Sequence, residues 1–327
     1  MAQPSWPDAL SADPLPWLLE PENPCVRYLA LSELLDRPAN DLEAIAAREA
    51  ILDFEPVRRI LDAQWPEGYW MHPGVGYSPK YKATVWQVIF LAAMGVPRCE
   101  PVARAVEVIL AQSRLPDGRF SARQDTGGAV LCLNGNLLRA LAWFGYAGDP
   151  RVIETREAMA AQVARDRFRC RYNAPADARP PRMGDGLPCA WGAIKALGAL
   201  VALPAVARTS EEEAAIEATI DFLLAYDLAE GNYPTATEPS PLWHKFGFPL
   251  GYTSDVLEAL EVLLRAGIPP DAPRLDAALS RVLAVQDDRG RWALEYTPGN
   301  TWASFGRQNE PNKWITLRAL RALKHAQ

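Results

Sequence analysis

The chain has 327 residues, 49% of them apolar, with 40 Asp and Glu against 34 Lys and Arg. That length allows a large core, while a net charge of −6 with the cations scattered leaves no basic stripe for nucleic acid. Apolar runs such as Val85 to Gly95 fall short of a membrane span. The opening Met1 to Pro7 lacks a charged stretch followed by an apolar one, so a cytoplasmic protein with no transmembrane segment is expected.

Residues 1–23 are proline-rich around one short apolar piece at Trp17 to Leu19. Helix signals begin at Pro24, a good first-turn residue, and run through Val26, Leu29, Leu31 and Leu34. A helical region over 41–63 should break near Pro56. Helical patterns then occupy about 81–94, 100–112, 131–145, 150–164, 188–203, 211–226, 252–266, 272–285 and 312–325. Gly95 with Pro97, Gly145, Pro204, and Gly267 with Pro269 are clear stops. No stretch sustains the two-residue alternation of a strand, so the class is all-α.

The connections alternate in length. Short links at 95–99, 146–149, 204–210 and 267–271 join the helices of a pair, and long ones at 64–80, 113–130, 165–187, 227–251 and 286–311 lead to the next pair. Short loops then share one face and long loops the other, as in stacked helix pairs. First-of-pair helices begin near 25, 81, 131, 188, 252 and 312, and the last lacks a partner unless the segment at Trp17 supplies it. Six pairs with joined ends close a ring spanning residues 1–327 as a single domain.

A skeleton recurs where these pairs end. Gln286, Gly290 and Trp292 repeat the spacing of Gln64, Gly68 and Trp70. Looser copies are Gln112 with Gly118 and Phe120, Gln162 with Asp166 and Phe168, and Tyr226 with Gly231 and Tyr233. Each closes an apolar helical segment: the Gln can bond free carbonyls of the last turn, the Gly takes a left-handed turn, and the aromatic folds onto the next pair. These copies resemble the QW repeats of squalene-hopene and oxidosqualene cyclases. The chain as a whole looks like a bacterial prenyltransferase or squalene cyclase repeat protein. The resemblance implies an (α/α)6 toroid, the fold those cyclases share with the protein prenyltransferase β subunits.

It also implies an enzyme with a central cavity for an apolar or prenyl-like small molecule. The cyclases protonate their substrate with the middle aspartate of a D-x-D-D motif, which this chain lacks. Its only adjacent pair, Asp287 and Asp288, sits in a QW-like copy, which leaves Asp255 and Asp185 as candidate catalytic acids. In such a ring the first-of-pair helices are inner, and their N-termini converge on the long-loop face, favouring anions there. The residues expected at that mouth are Arg27, Tyr28, Lys82, Trp86, Asn134, Asn136, Trp191, Tyr252, Lys313 and Trp314.

The protein prenyltransferases hold zinc through Asp, Cys and His, but their D-x-C pair is missing here. Cys132 and Cys189 nevertheless begin consecutive inner helices, and Cys170 lies in the loop between their pairs. Three thiolates near one point suit Zn2+, with His244, Asp255, Asp185 or water as fourth ligand. Buried free cysteines acting as small hydrophobes are the plainer alternative. Two further readings stand beside the enzyme: a non-catalytic toroid binding a ligand or partner protein through its long-loop face, and a carbohydrate-active toroid with facing carboxylates.

Overall fold

The computed structural model describes residues 9–174, 186–235, 238 and 240–326. Asp185 lies outside them. Thirteen α-helices follow one another among the described residues: α1 (Leu15–Leu18), α2 (Pro24–Leu29), α3 (Leu42–Ala50), α4 (Glu55–Asp62), α5 (Thr84–Ala93), α6 (Glu100–Gln112), α7 (Leu131–Trp143), α8 (Pro150–Asp166), α9 (Ala190–Val201), α10 (Ser210–Leu224), α11 (Val256–Arg265), α12 (Pro273–Ala284) and α13 (Lys313–His325). A π-helical turn, Ala30–Leu34, continues α2. Strand structure among these residues is limited to four isolated bridges.

Two rings of helices account for the burial. On α9 every residue but Trp191 is buried, and α5, α7, α11 and α13 are nearly as enclosed. The helices α3, α4, α6, α8 and α12 bury one face only, as outer helices should. Inner neighbours pack in the order α5, α7, α9, α11, α13, α2. Leu29 at the end of α2 meets Gly95 just past α5, which completes the circle.

The chain ends join as the spacing predicts. α1 packs on α13. Gln286 donates to Ala9 O at 3.2 Å and accepts from Ser11 N at 2.7 Å. Lys313 pairs with Glu20 at 2.7 Å, Lys324 with Asp36 at 2.5 Å, and Arg321 with Glu33. The fold is the (α/α)6 toroid.

The inner helices α5, α9, α11 and α13 start between one and four residues later than their apolar patterns, while α2 and α7 start where those patterns do. Asn23, Asp255 and Asn312 each accept a backbone N–H of the first turn, at 3.1, 2.7 and 2.9 Å. Pro56 breaks the 41–63 region by opening α4.

Charged side chains cross the ring interior. Lys195 of α9 donates to both Glu258 oxygens, at 2.8 and 2.6 Å, and Arg139 of α7 reaches the same carboxylate at 3.3 Å. Burial pulls the Lys195 ammonium below its ordinary pKa against the attraction of Glu258. The Glu258 carboxyl stays below the ordinary carboxylate value in spite of its burial, because Lys195 and Arg139 flank it. With the middle of the ring closed by these pairs, open space is left at the inner helix N-termini.

Candidate functional site

That space is a cavity of about 470 Å³ on the long-loop face. Its walls come from the approach to α5 (Tyr77, Lys80), the start of α7 (Val130, Cys132), the stretch Cys170, Tyr172 and Asn173, the start of α9 (Cys189, Trp191), the loop with Tyr233 and Trp243, and Tyr252 before α11. Six aromatic rings therefore face it. Trp191 and Tyr252 lie 6.0 Å apart, and Tyr233 and Trp243 lie 5.2 Å apart, both pairs tilted. The Lys80 ammonium stands 4.3 Å from the centre of the Tyr252 ring.

Trp86 stands behind this wall, buried, with its indole donating to Tyr77 O at 2.7 Å. It packs on Tyr77 at 4.9 Å and Tyr252 at 6.4 Å, so it sets the position of two lining rings without lining the cavity itself. Burial pushes the Tyr77 phenol above its ordinary pKa.

Three thiols share the same wall: Cys132, Cys170 and Cys189. Donation from the Cys189 thiol draws Cys170 down to about 7, against its burial, with help from the backbone N–H groups of Tyr172 and Asn173 and the charge of Arg171. Cys189 is held well above its ordinary value by the same partnership and by burial. Burial pushes Cys132 up to about 12, with Cys170 adding to the effect. Cys25 is a buried residue of α2, and Cys99 stands at the N-cap of α6 on the opposite face.

The three sulfurs share one wall of the cavity. Among the described residues no group of three or more His, Cys, Asp or Glu side chains could hold a metal ion as arranged. His244 is outside the lining, and the charges that act on it are Arg281 and Glu230. Burial, then Arg281, lowers its pKa.

The remaining expected residues fall elsewhere. Asp255 is 1% exposed and spends both oxygens inside the fold: it caps α11, accepts Gly247 N at 2.9 Å, and takes two bonds from Arg318 at 2.8 and 2.9 Å. Asn134 clasps the backbone of Phe120, and Asn136 donates to Gly251 O at 2.8 Å across the ring. Lys82 lies on Trp302, and Lys313 on Trp17. Arg27 faces Glu43, and Tyr28 packs beside α3 in a small satellite core. Trp314 stacks on Phe248 with centroids 4.3 Å apart, and Phe305 covers Phe248 at 5.7 Å. The mouth over α13 is thus filled by aromatic packing, and the cavity opens above α5, α7 and α9.

Sequence reasoning missed Tyr77, Lys80 and Tyr172, and read Tyr233 only as the aromatic of a degraded helix-end copy. All sit in long connections without periodicity, where only their proximity in the chain to a helix start gave a signal.

No protein-family model matches the chain, and no curated protein matches it in sequence. Among solved structures it is similar to a glycosyl hydrolase family 88 protein from Bacteroides vulgatus, at 14% identity over 93% of this chain and 90% of that one, with a TM-score of 0.50. It also aligns with the type II terpene cyclase MstE from Scytonema, at 14% identity over 83% and 96% of the two chains, with a TM-score of 0.31. A form of that cyclase holding geranylgeranyl dihydroxybenzoate gives 13% identity over 83% and 95%, and a TM-score of 0.34. The cyclase alignments are too loose to bear on this site. The first likeness shows the fold alone: this chain is an (α/α)6 toroid.

Proposed function

We propose that this toroid is an enzyme that takes an apolar or prenyl-like molecule into its long-loop cavity. The observation that carries the reading is the lining: six aromatic rings around about 470 Å³, a volume within the roughly 300–1,000 Å³ of small-molecule sites. The aromatic faces hold an apolar chain and keep water from it. Lys80 supplies a positive charge at the wall for an anionic head group. Cys170, the thiol with the lowest pKa there, is the group readiest to act as nucleophile or base.

The carbohydrate reading needs two facing carboxylates, about 5 to 10 Å apart. Among the described residues the lining contributes one, Glu238. Zinc at Cys132, Cys170 and Cys189 stays a separate proposal, and no step here is routed through it. Metal analysis of the purified protein tests it: stoichiometric zinc that Cys132→Ser removes supports the ion, and metal-free protein ends the idea.

The function is tested by titrating tryptophan fluorescence with farnesol, geranylgeraniol and their diphosphates beside a panel of disaccharides. Saturable quenching by the prenyl compounds is expected, with Trp191→Ala and Tyr252→Ala weakening it at least about tenfold, or ~1.4 kcal/mol. Binding of disaccharides alone would overturn the reading. Prenyl binding without turnover of any candidate would favour the non-catalytic toroid.

A further inference from the structure

Cys170 and Cys189 reach the cavity from two stretches that the backbone itself pairs. Arg169 and Pro188 form an antiparallel bridge. On either side of it Cys170 N donates to Leu187 O at 3.0 Å and Cys189 N donates to Phe168 O at 2.9 Å. Asn173 adds a tie, donating to Pro188 O at 2.8 Å. Residues one step to either side of a bridge point to the same face of the pair, and both cysteines do line the cavity. Cys132 comes to this wall from α7, a separate element.

We infer that Cys170 and Cys189 are a redox-active dithiol, a modification site that peroxide closes to an intramolecular disulfide and a small dithiol reopens. The Cys170 sulfur attacks one peroxide oxygen, the O–O bond breaks, and hydroxide leaves to become water. The resulting sulfenic acid is then attacked by the Cys189 sulfur: the S–S bond forms, the S–O bond breaks, and the hydroxyl departs as water with the Cys189 proton. Two thiols have lost two electrons, and one peroxide has become two waters. Diagonal residues of an antiparallel pair lie about 7–8 Å apart, while a disulfide wants Cα atoms within roughly 4.4–6.8 Å. The bridge must therefore tighten by an ångström or so, which a bridge held by two flanking hydrogen bonds allows. This chemistry does not depend on what fills the cavity.

The test uses the full chain, treated with hydrogen peroxide, alkylated with N-ethylmaleimide and mapped by mass spectrometry. The expected product has lost two hydrogens and two reactive thiols, carries a Cys170–Cys189 cross-linked peptide, and returns to the starting mass with dithiothreitol. Cys132→Ser should leave the cross-link in place. Cys189→Ser should abolish it and leave oxygen added at Cys170 instead, with an unchanged circular dichroism spectrum as the check on folding. Oxygen addition at Cys170 in the unaltered chain while Cys189 remains fully alkylatable would overturn the inference. So would a disulfide that uses Cys132.

Discussion

Trp292 donates its indole N–H to Val282 O at 2.7 Å, ten residues upstream, and Trp70 makes the same bond to Ile60 O at 2.7 Å. The likeness extends to the backbone: Trp292 N donates to the Thr316 hydroxyl and Trp70 N to that of Thr84, at 3.0 and 3.1 Å. In the degraded copy Tyr233 keeps the first bond, its hydroxyl donating to Leu223 O at 2.8 Å. Phe120 keeps only the second, its N–H donating to Asn134 at 2.8 Å. Trp292 and Trp70 therefore each tie the end of an outer helix to the start of the next inner one, and the looser copies at Tyr233 and Phe120 keep one half of that tie.

Because Trp292 is fully buried, Trp292→Ala removes a large core side chain and should cost roughly 3–5 kcal/mol. Trp292→Phe, which keeps most of the volume but leaves Val282 O unpaired, should cost less. Urea unfolding reads both, and an unchanged midpoint for the alanine variant would defeat the assignment.

Gly290 closes the ring. Its φ is +67°, and a Cβ added there would lie 2.1 Å from Ala12 O. Gly290→Ala should thus combine backbone strain of about 1–3 kcal/mol with displacement of the N-terminal segment. Limited proteolysis should then cut between residues 9 and 20 several-fold faster, and equal cutting rates would show that the segment does not depend on this contact.

Asp255 and Arg318 are 1% and 7% exposed at their side chains and bond each other twice. Removing one partner of a buried pair typically costs about 3–5 kcal/mol, so Arg318→Ala should lower the unfolding midpoint strongly. Asp255→Asn, which can still cap α11, should leave cavity ligand affinity unchanged in whatever fraction is folded. A loss of turnover in that variant with normal stability would restore Asp255 as a reacting acid.

The ring was legible in the sequence because its signals are local. Gly95, Gly145, Gly267 and the prolines that follow two of them stop helices wherever they occur, and loop lengths can be counted. The cavity was legible only in part. Cys132, Cys189, Trp191 and Tyr252 could be placed from their positions at helix starts, but the same rule put Lys313 and Trp314 at the mouth. There Phe248, from a distant loop, and Phe305, from the connection just before α13, fold over the helix end. Asp255 presents the same difficulty in another form, since an aspartate before an apolar helix is what a cap requires, and its second partner, Arg318, is 63 residues away. Packing of long loops is a property of the closed ring and leaves no periodicity in the chain.

The Cys170 thiol should show its environment in its pH dependence. Its pKa in the fold is about 7 against an ordinary 9.0, because the Cys189 thiol donates to it. Between those values the native protein binds fewer protons than the unfolded chain, so this group makes stability rise with pH from 7 to 9, and the contribution is lost as pH falls through 7. Cys132 and Cys189, both raised, stay protonated across that window. Alkylation of Cys170 by iodoacetamide, followed by peptide mapping, should therefore reach half its maximal rate near pH 7 in the native protein and near pH 9 in urea. Cys189→Ala removes the donor and should move the native midpoint upward. A native midpoint near 9 in the unaltered chain would mean that the two thiols do not interact.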